Sequence, residues 1–435
     1  MFVTFFYECC LLLMAIVALP QFLYQMVWKG KYRKSLFKRF GGDFPVIKKE
    51  GRPLVWVHAV SLGETKAVAA LVKTIKAEYN HPIIVFSTTT ETGYAEACRS
   101  IAAEHHVYLP FDFGWLINRI MRRTAPDLLI LCESDFWYNL LKSAKKAGAK
   151  TVLVNGKLSV RSLERFKKIG FFTRSLFSFL DLFCVQNQLY ARRFEEMGVP
   201  KEKLHVTGNI KFDGNYARLP MEKLQQWRGE LGIGLHDPVL VIGSSHHPEE
   251  ALFLETLVNV WKIVPDLKVL LVPRHPERFN EVAGILQKKN IIYRRLSEKN
   301  YKGAPAPVIL IDAMGLLTKC YQLADIAIVA GSYTSKVGGH NILEPSMYGV
   351  PVIFGPHMQT QAELVQLMMD YKAGIQVDAE FLRSELLSLL QDVDKRKALG
   401  DGGLRLASDV NGATGKTFSL IKSQFGKFKP VLSVL

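Results

Sequence analysis

Several short strings in this chain set acids, cations and glycines where they can do chemistry. In His58-Ala59-Val60-Ser61-Leu62-Gly63-Glu64, a carboxylate opens a helical segment that runs from Glu64 to Glu78. The positive end of a helix macrodipole favours its ionised form. Glu64 therefore suits two uses, a general base for a hydroxyl or a charge that merely stabilises the helix. Glu133, in Glu133-Ser134-Asp135-Phe136-Trp137, follows another apolar run and brings further acids to the same rim. Lys211, in Thr207-Gly208-Asn209-Ile210-Lys211-Phe212-Asp213, lies where the chain leaves its first half. A lysine there can neutralise a leaving phosphate; simple solvation is the alternative.

The second half carries anion-binding chemistry. Phosphate is held by backbone N–H groups at a helix start together with fixed cations. Gly243-Ser244-Ser245-His246 precedes an acidic helix start and suits such a cradle, although a plain strand-to-helix turn reads the same way. In Val272-Pro273-Arg274-His275-Pro276-Glu277-Arg278-Phe279 an arginine is fenced by two prolines, which points to a phosphate contact over a structural ion pair. Asp312-Ala313-Met314-Gly315-Leu316 ends another apolar run, and its glycine allows a ligand close to the backbone. The strongest string is Gly338-Gly339-His340-Asn341-Ile342-Leu343-Glu344-Pro345. Asn341 and Glu344, three residues apart, share one helical face, and a carboxylate there can accept both hydroxyls of a ribose. The competing reading is a helix-cap partner for Glu344 and a satisfied turn histidine for His340.

Two look-alikes are set aside. Gly412-Ala413-Thr414-Gly415-Lys416-Thr417 resembles a P-loop, but Val410 stands where its first glycine belongs and no strand precedes it. Asp392-Val393-Asp394 spells a DxD inside a charged helical stretch and reads as surface. The eleven histidines show no paired-ligand spacing, so neither a metal nor another cofactor is implied. No GxGxxG follows either opening strand, against a dinucleotide-dependent oxidoreductase.

Short β-branched runs alternating with helical segments must position these residues, the pattern of parallel sheets with crossover helices. Strands are expected at Leu54–Val57, Ile83–Ser87, Leu128–Cys132, Thr151–Val154 and Leu182–Val185. The second half repeats the theme at Val239–Ile242, Val269–Val272, Val308–Ile311, Ile326–Val329 and Pro351–Phe354. LVWVHAVSLGETKAVAALV and VLVIGSSHHPEEALFLETLV share one grammar: strand, small-residue turn, acid on the first helical turn, amphipathic helix. The fold class expected is α/β, two Rossmann-like doubly wound domains facing across a cleft, because ligands gather outside the carboxyl ends of such strands. The expected division is an anchor at 1–30, a first domain at 31–212, a linker at 213–235, a second domain at 236–410, and a C-terminal helix and tail at 411–435.

Length and composition agree. The 435 residues exceed what one core normally holds, and 49% hydrophobic with 22% charged residues excludes a disordered or low-complexity chain. Fifty-six Lys+Arg against 40 Asp+Glu gives +16, so anionic partners are expected. Six scattered cysteines without a CxxC pair exclude a disulfide scaffold or zinc ribbon and suit a reducing cytoplasm. The uncharged run Cys9–Trp28 has the length to cross a bilayer, though Pro20 and the glutamines leave a shallow helix open. The cations that follow, Lys29, Lys31, Arg33, Lys34, Lys38 and Arg39, are expected to stay cytoplasmic, with the amino terminus outside. They also suit anionic phospholipid headgroups.

In this order the strings resemble the Kdo (3-deoxy-D-manno-octulosonic acid) transferases of lipopolysaccharide assembly, a GT-B family of inverting glycosyltransferases. The resemblance rests on SLGE at Ser61–Glu64, GNIKFD at Gly208–Asp213, VPRHPERF at Val272–Phe279 and GGHNILEP at Gly338–Pro345. The chain departs from the family pattern with ESDFWYN for ETELWPN, NGKLS for NARLS, GSSHHPEE for a GSTHxGEE-like run, Leu316 for an acid and Ile342 for a proline. The resemblance implies a CMP-Kdo donor on the second domain and a lipid A precursor on the first, at a bacterial inner membrane, with no nucleic acid involved. It further implies Glu64 as the base, Glu133 and Lys211 as transition-state support, and a CMP lining drawn from Ser244, Ser245, Pro273, Arg274, Met314, Gly315, Leu316, Gly338, Gly339, Asn341, Ile342, Leu343 and Glu344. Two other readings fit the residues: a GT-B transferase using a UDP- or ADP-sugar on a membrane lipid, and a non-catalytic membrane-tethered nucleotide-binding scaffold.

Overall fold

The structure, a computed structural model, describes residues 2–28, 35–42, 44–79, 81–213, 217–298 and 306–426. The first sheet comprises β1 (Leu54–His58), β2 (Ile83–Thr88), β3 (His105–Tyr108), β4 (Leu128–Cys132), β5 (Lys150–Gly156), β6 (Leu182–Val185) and β7 (Leu204–Val206). Its strands are all parallel in the order β3-β2-β1-β4-β5-β6-β7. Helices cover both faces, so the central strands are apolar throughout, not alternating. Along β1, Trp56 packs into one core layer with Val85 and Leu129. Its neighbours Val55 and Val57 face the opposite layer with Phe86 and Ile130.

The second sheet comprises β8 (Val239–Ser245), β9 (Lys268–Pro273), β10 (Tyr293–Arg295), β11 (Val308–Leu310), β12 (Ile326–Val329), β13 (Val352–Phe354) and β14 (Gly374–Gln376). It is likewise all parallel, ordered β10-β11-β9-β8-β12-β13-β14. Each expected strand is present, and the four that the sequence pattern does not announce are the four edges: β3, β7, β10 and β14. An edge strand has one partner and lies half open to water, so Tyr293-Arg294-Arg295 or Gly374-Ile375-Gln376 never shows the continuous apolar run of a central strand.

Strand order reverses between β1 and β4 in the first sheet and between β8 and β12 in the second. Such switch points open a crevice at the carboxyl ends of the strands, where ligands bind. Glu64 and Glu133 follow β1 and β4; Ser244 and Ser245 end β8, and the Gly338–Glu344 loop follows β12.

The chain divides into two compact units, residues 1–213 with 411–435, and residues 214–410. The helix Ala413–Phe425 returns to the first unit, where Ala413, Phe418 and Ile421 join its core. The Asp213 carboxylate accepts the amides of Ala413 (3.0 Å) and Thr414 (2.5 Å), so the P-loop look-alike has its helix-start donors engaged by the protein itself. Within the stretch expected as a linker, the helix Met221–Glu230 belongs to the second unit. Its Trp227 is buried under the Lys319 ammonium, 4.0 Å from the ring centroid.

The amino-terminal helix spans Phe2–Trp28, so it starts before the expected apolar run. Its first two turns dock on the first unit. Tyr7 Oη donates to Asp112 Oδ2 (2.8 Å), and Glu8 Oε1 accepts from Gly114 N and Asn139 Nδ2 (both 2.9 Å). Beyond Leu11 the described side chains up to Tyr24 are exposed on every face. Of the basic collar, Lys29, Lys31, Arg33 and Lys34 lie outside the described residues; Lys38 and Arg39 belong to a short helix, Leu36–Arg39.

Candidate active site

In the first unit, Ser61 is the N-cap of the Leu62–Glu78 helix. Its hydroxyl donates to Glu64 Oε1 (2.9 Å) and accepts from Glu64 N (3.3 Å), while Val60 N donates to Glu64 Oε2 (2.8 Å). This near-reciprocal cap joins the two uses open to Glu64: the helix start fixes the carboxylate, and the carboxylate remains a proton acceptor. Burial raises its pKa and the nearby Glu133 adds to that, against the Val60 amide, Ser61 and Lys211. A raised carboxylate lies closer to the working range of a general base.

Glu133 is buried at a left-handed backbone position (φ 63°). Lys157 and Lys211 both pair with its carboxylate, and Asn155 Nδ2 donates to it at 3.4 Å. Burial alone would raise its pKa; the two ammonium groups overcome that and hold it below the usual range. Asp135, beside the same acids, is pushed up to about 6 by burial and then by Glu64 and Glu133. The rim thus separates one firmly ionised carboxylate from two of raised pKa, a division of roles that acid–base chemistry uses.

Lys157, inside the string Asn155–Ser159, has no role that sequence alone assigns. Its signal is a cation just past the end of a strand, but pairing with Glu133 becomes visible only once β5 is known to lie beside β4. The same rim holds His58. Burial pushes its pKa down to about 4 and keeps its imidazole neutral, and Ser87 Oγ lies 2.9 Å from Nδ1. Among the described residues His58 Nε2, Thr88 Oγ1, Trp137 Nε1, Gln186 Oε1 and Thr207 Oγ1 are buried with no hydrogen-bond partner. Four of them end or directly follow a strand, and Trp137 opens the helix Tyr138–Lys146 after β4; buried polar atoms of that kind call for a polar ligand or water.

In the second unit, Gly243 ends the apolar part of β8 where any Cβ would collide with Tyr321 Oη. Ser244 then takes a left-handed turn (φ 58°), and Ser245 is fully buried. Glu249, on the first turn of the following helix, is buried and accepts three backbone amides: His246 (3.1 Å), Gly331 (2.8 Å) and Tyr333 (2.9 Å). It ties the loop after β8 to the loop after β12. The arginines of VPRHPERF divide. Arg278 makes a bidentate pair with the fully buried Glu250 (2.6 and 3.1 Å) and also binds Glu281. Arg274 is exposed, fixed through its backbone N–H to Ser245 O at 3.1 Å, which leaves its guanidinium for a ligand.

The charge of Arg274 acts on Glu344, whose pKa burial raises and which Arg274 and Asn341 lower. Asn341 Oδ1 also accepts from Leu343 N (3.0 Å). Three imidazoles gather here: His246 Nε2 lies 2.8 Å from His340 Nε2, and the His246 and His275 ring centroids are 5.2 Å apart. Burial, then neighbouring imidazole and arginine charge, lowers His246 and pushes His340 down to about 4. Nothing in the sequence gives His246 or His275 a role, and His340 reads there as a turn residue. Gly339 (φ 92°) crosses so close that a Cβ would run into Met358 Sδ.

The other expected lining residues are placed less directly. Ile342 and Leu343 are fully buried, so only their backbone can meet a ligand. Met314, Gly315 and Leu316 follow β11, two strands from β8; Asp312 beside them is tied to Arg295 (2.8 Å) and Ser297.

A family model described as 3-deoxy-D-manno-octulosonic-acid transferase (kdotransferase) matches residues 34–214. A 3-deoxy-D-manno-octulosonic acid transferase of Chlamydophila psittaci is 37% identical over 96% of this chain and 96% of its own. One from Haemophilus influenzae is 33% identical over 96% of this chain and 98% of its own. Among solved structures, a glycosyltransferase from Rickettsia africae matches with a TM-score of 0.53 at 15% identity, covering 86% of this chain and 98% of that one, a likeness of fold alone.

Proposed function

The chain belongs to the 3-deoxy-D-manno-octulosonic acid transferase family, and from that premise we propose that it moves Kdo from CMP-Kdo to a lipid A precursor with inversion at the anomeric carbon. It is a glycosyltransferase of two parallel-sheet α/β units in the GT-B manner. The proposal assigns the acceptor to the first unit and the donor to the second. The apolar helix Phe2–Trp28 holds the enzyme to the membrane in which the acceptor's acyl chains sit.

Glu64 takes the proton of the acceptor hydroxyl as its oxygen bonds to the anomeric carbon. The bond from that carbon to the CMP phosphate breaks, and CMP leaves with the electron pair. Arg274 and the backbone around Ser244–Ser245 meet the departing phosphate, and Glu344 takes the ribose hydroxyls. Fixed donors of this kind need no reorganisation as charge develops. Lys157 and Lys211 keep Glu133 ionised beside Glu64, which holds the proton affinity of Glu64 up. The observation that carries the reading is Glu64 itself: a buried carboxylate of raised pKa, fixed by Ser61 and Val60 at the switch point of its sheet.

The test is purified full-length protein with CMP-Kdo and tetraacyl lipid A precursor (lipid IVA), products weighed by mass spectrometry. Glycosylated lipid and released CMP are expected, with inhibition by CMP but not by UDP or ADP. Inhibition by UDP or ADP would move the assignment to another nucleotide sugar. Nucleotide binding without CMP release would make the protein a scaffold.

A further inference from the structure

We propose that the Phe2–Trp28 helix does not cross the bilayer but lies immersed in the single leaflet that faces the first unit, with both its ends on that side. The inference rests on the reading that this helix meets a membrane, and it adds how.

The two flanks of the helix hold the same loop. On the amino-terminal side Glu8 Oε1 accepts the amide of Gly114. On the carboxyl side Arg39 O accepts the amide of Phe111 (2.9 Å), and Gly41 sits against Leu116. Ser35, where the described chain resumes, is fully buried in the same unit. From Glu8 to Trp28 an α-helix extends roughly 30 Å. The chain from Trp28 to Ser35 reaches at most about 25 Å even fully extended, less than the roughly 30 Å of a hydrocarbon core. A helix that crossed from its docked first turns would leave Trp28 on the far side with too little chain to bring Ser35 home. A return strand through lipid would also carry unpaired backbone groups and the charges of Lys29, Lys31, Arg33 and Lys34.

The partner is lipid rather than protein or water because residues 12–20 are exposed and apolar on every side. Leu12, Leu13, Met14, Ile16, Val17 and Leu19 are all exposed, around the whole circumference, and Phe2–Gln21 has a mean hydropathy of 2.3. Its far end carries Tyr24 and Trp28, stacked at 5.5 Å, and then the basic run. Aromatic rings of this kind belong at headgroup level, so this end too lies at the interface and the helix runs obliquely between two shallow points. Near the docked end Phe171 packs against Phe2 and Phe6 and is itself half exposed, which extends the apolar contact onto the globular unit.

The experiment is sided labelling of the full chain in spheroplasts and in inside-out inner-membrane vesicles with a membrane-impermeant maleimide. Single reporters are Phe2→Cys, Phe37→Cys and native Cys98, each in a chain whose other exposed or partly exposed cysteines (Cys9, Cys10 and, where it is not the reporter, Cys98) are serine. All three labelling from one face, in protein released only by detergent, is the expected result. Labelling of residue 2 from the face opposite residues 37 and 98 overturns the single-leaflet arrangement while leaving a membrane protein. Release by salt alone overturns the membrane reading beneath it. Should Phe2→Cys not accumulate, or label from neither face because lipid covers residue 2, an amino-terminal epitope tag scored by protease protection in the same vesicles reads the side on which the amino terminus lies.

Discussion

The two units place an acid at the same point, on the first helical turn after their opening strand, and use it for opposite ends. Glu64 and Glu249 are both buried, and burial raises the pKa of each. Glu249 accepts three backbone amides drawn from two loops. Glu64 accepts one amide and a hydroxyl, both within four residues, and acts electrostatically on Glu133 and Lys211. An acid at a helix start is thus a structural tie when long-range donors fill its lone pairs, and a candidate base when only its own turn holds it. The shared grammar of the two openings conceals this, because the difference lies in Gly331 and Tyr333, far along the chain.

Exchanging each acid for its amide should separate the two. Glu64→Gln is expected to lower transfer by roughly 10²–10⁴-fold, with thermal unfolding near that of the wild type. Glu249→Gln turns an NH₂ group against amides that need an acceptor and is expected to cost about 2–4 kcal/mol of stability, read by denaturant unfolding of the second unit. Unimpaired transfer by well-folded Glu64→Gln would remove the proposed base.

The two arginines of VPRHPERF make the same contrast on one loop. Arg278→Ala leaves Glu250 charged and fully buried without its partner, so a loss of about 3–5 kcal/mol is expected. Arg274→Ala removes an exposed guanidinium and is expected to leave unfolding unchanged while raising KM for the donor about tenfold or more. Equal destabilisation by both variants would show that Arg274 is structural as well.

Lys157 sharpens the comparison on the acid side. Lys157→Met removes one of the two cations on Glu133, and Lys157→Arg retains the charge in the residue type that the family pattern places there. The methionine variant is expected to lower kcat by about 10–100-fold and to shift the acid limb of the pH–rate profile. The arginine variant should restore both. A purely packing role for Lys157 would leave the profile where it is.

These contrasts also show what could be read from sequence. Central strands were legible because burial on both faces demands an unbroken apolar run. Glu64, Glu133 and Ser244–Ser245 could be placed at strand ends for the same reason, since a turn follows each run directly. Lateral facts were not legible. The Lys157–Glu133 pair needs strand order, the Arg278–Glu250 pair needs two helix starts to meet, and the docking of Tyr7 and Glu8 needs Asp112 and Asn139, more than a hundred residues away. The edge strands were missed because one-sided pairing leaves little hydrophobic pattern to detect.

A further effect is expected on stability, and its pH dependence is the check. Asp135 has a folded pKa of about 6 against 3.8 as a free side chain, with burial the main cause and the charges of Glu64 and Glu133 next. Folding therefore favours its protonated form. That contribution is fully present below pH 3.8 and is lost as the pH rises through 6, where the folded protein must hold a third carboxylate beside two others. Asp135→Asn removes this charge, so the variant should exceed the wild type in stability by roughly 2 kcal/mol at pH 7–8. The gap should close as the pH falls through 6 towards 3.8. The second unit supplies the control: Asp312 has its pKa lowered, with Ser297 and Arg295 outweighing burial. Asp312→Asn should destabilise at neutral pH and lose its effect in acid, so the two asparagine variants should show opposite signs at pH 7 and converge on the wild type as the medium is acidified. Parallel curves for the two would mean that Asp135 is not held among like charges, and the crowding of acids around Glu64 would lose its support.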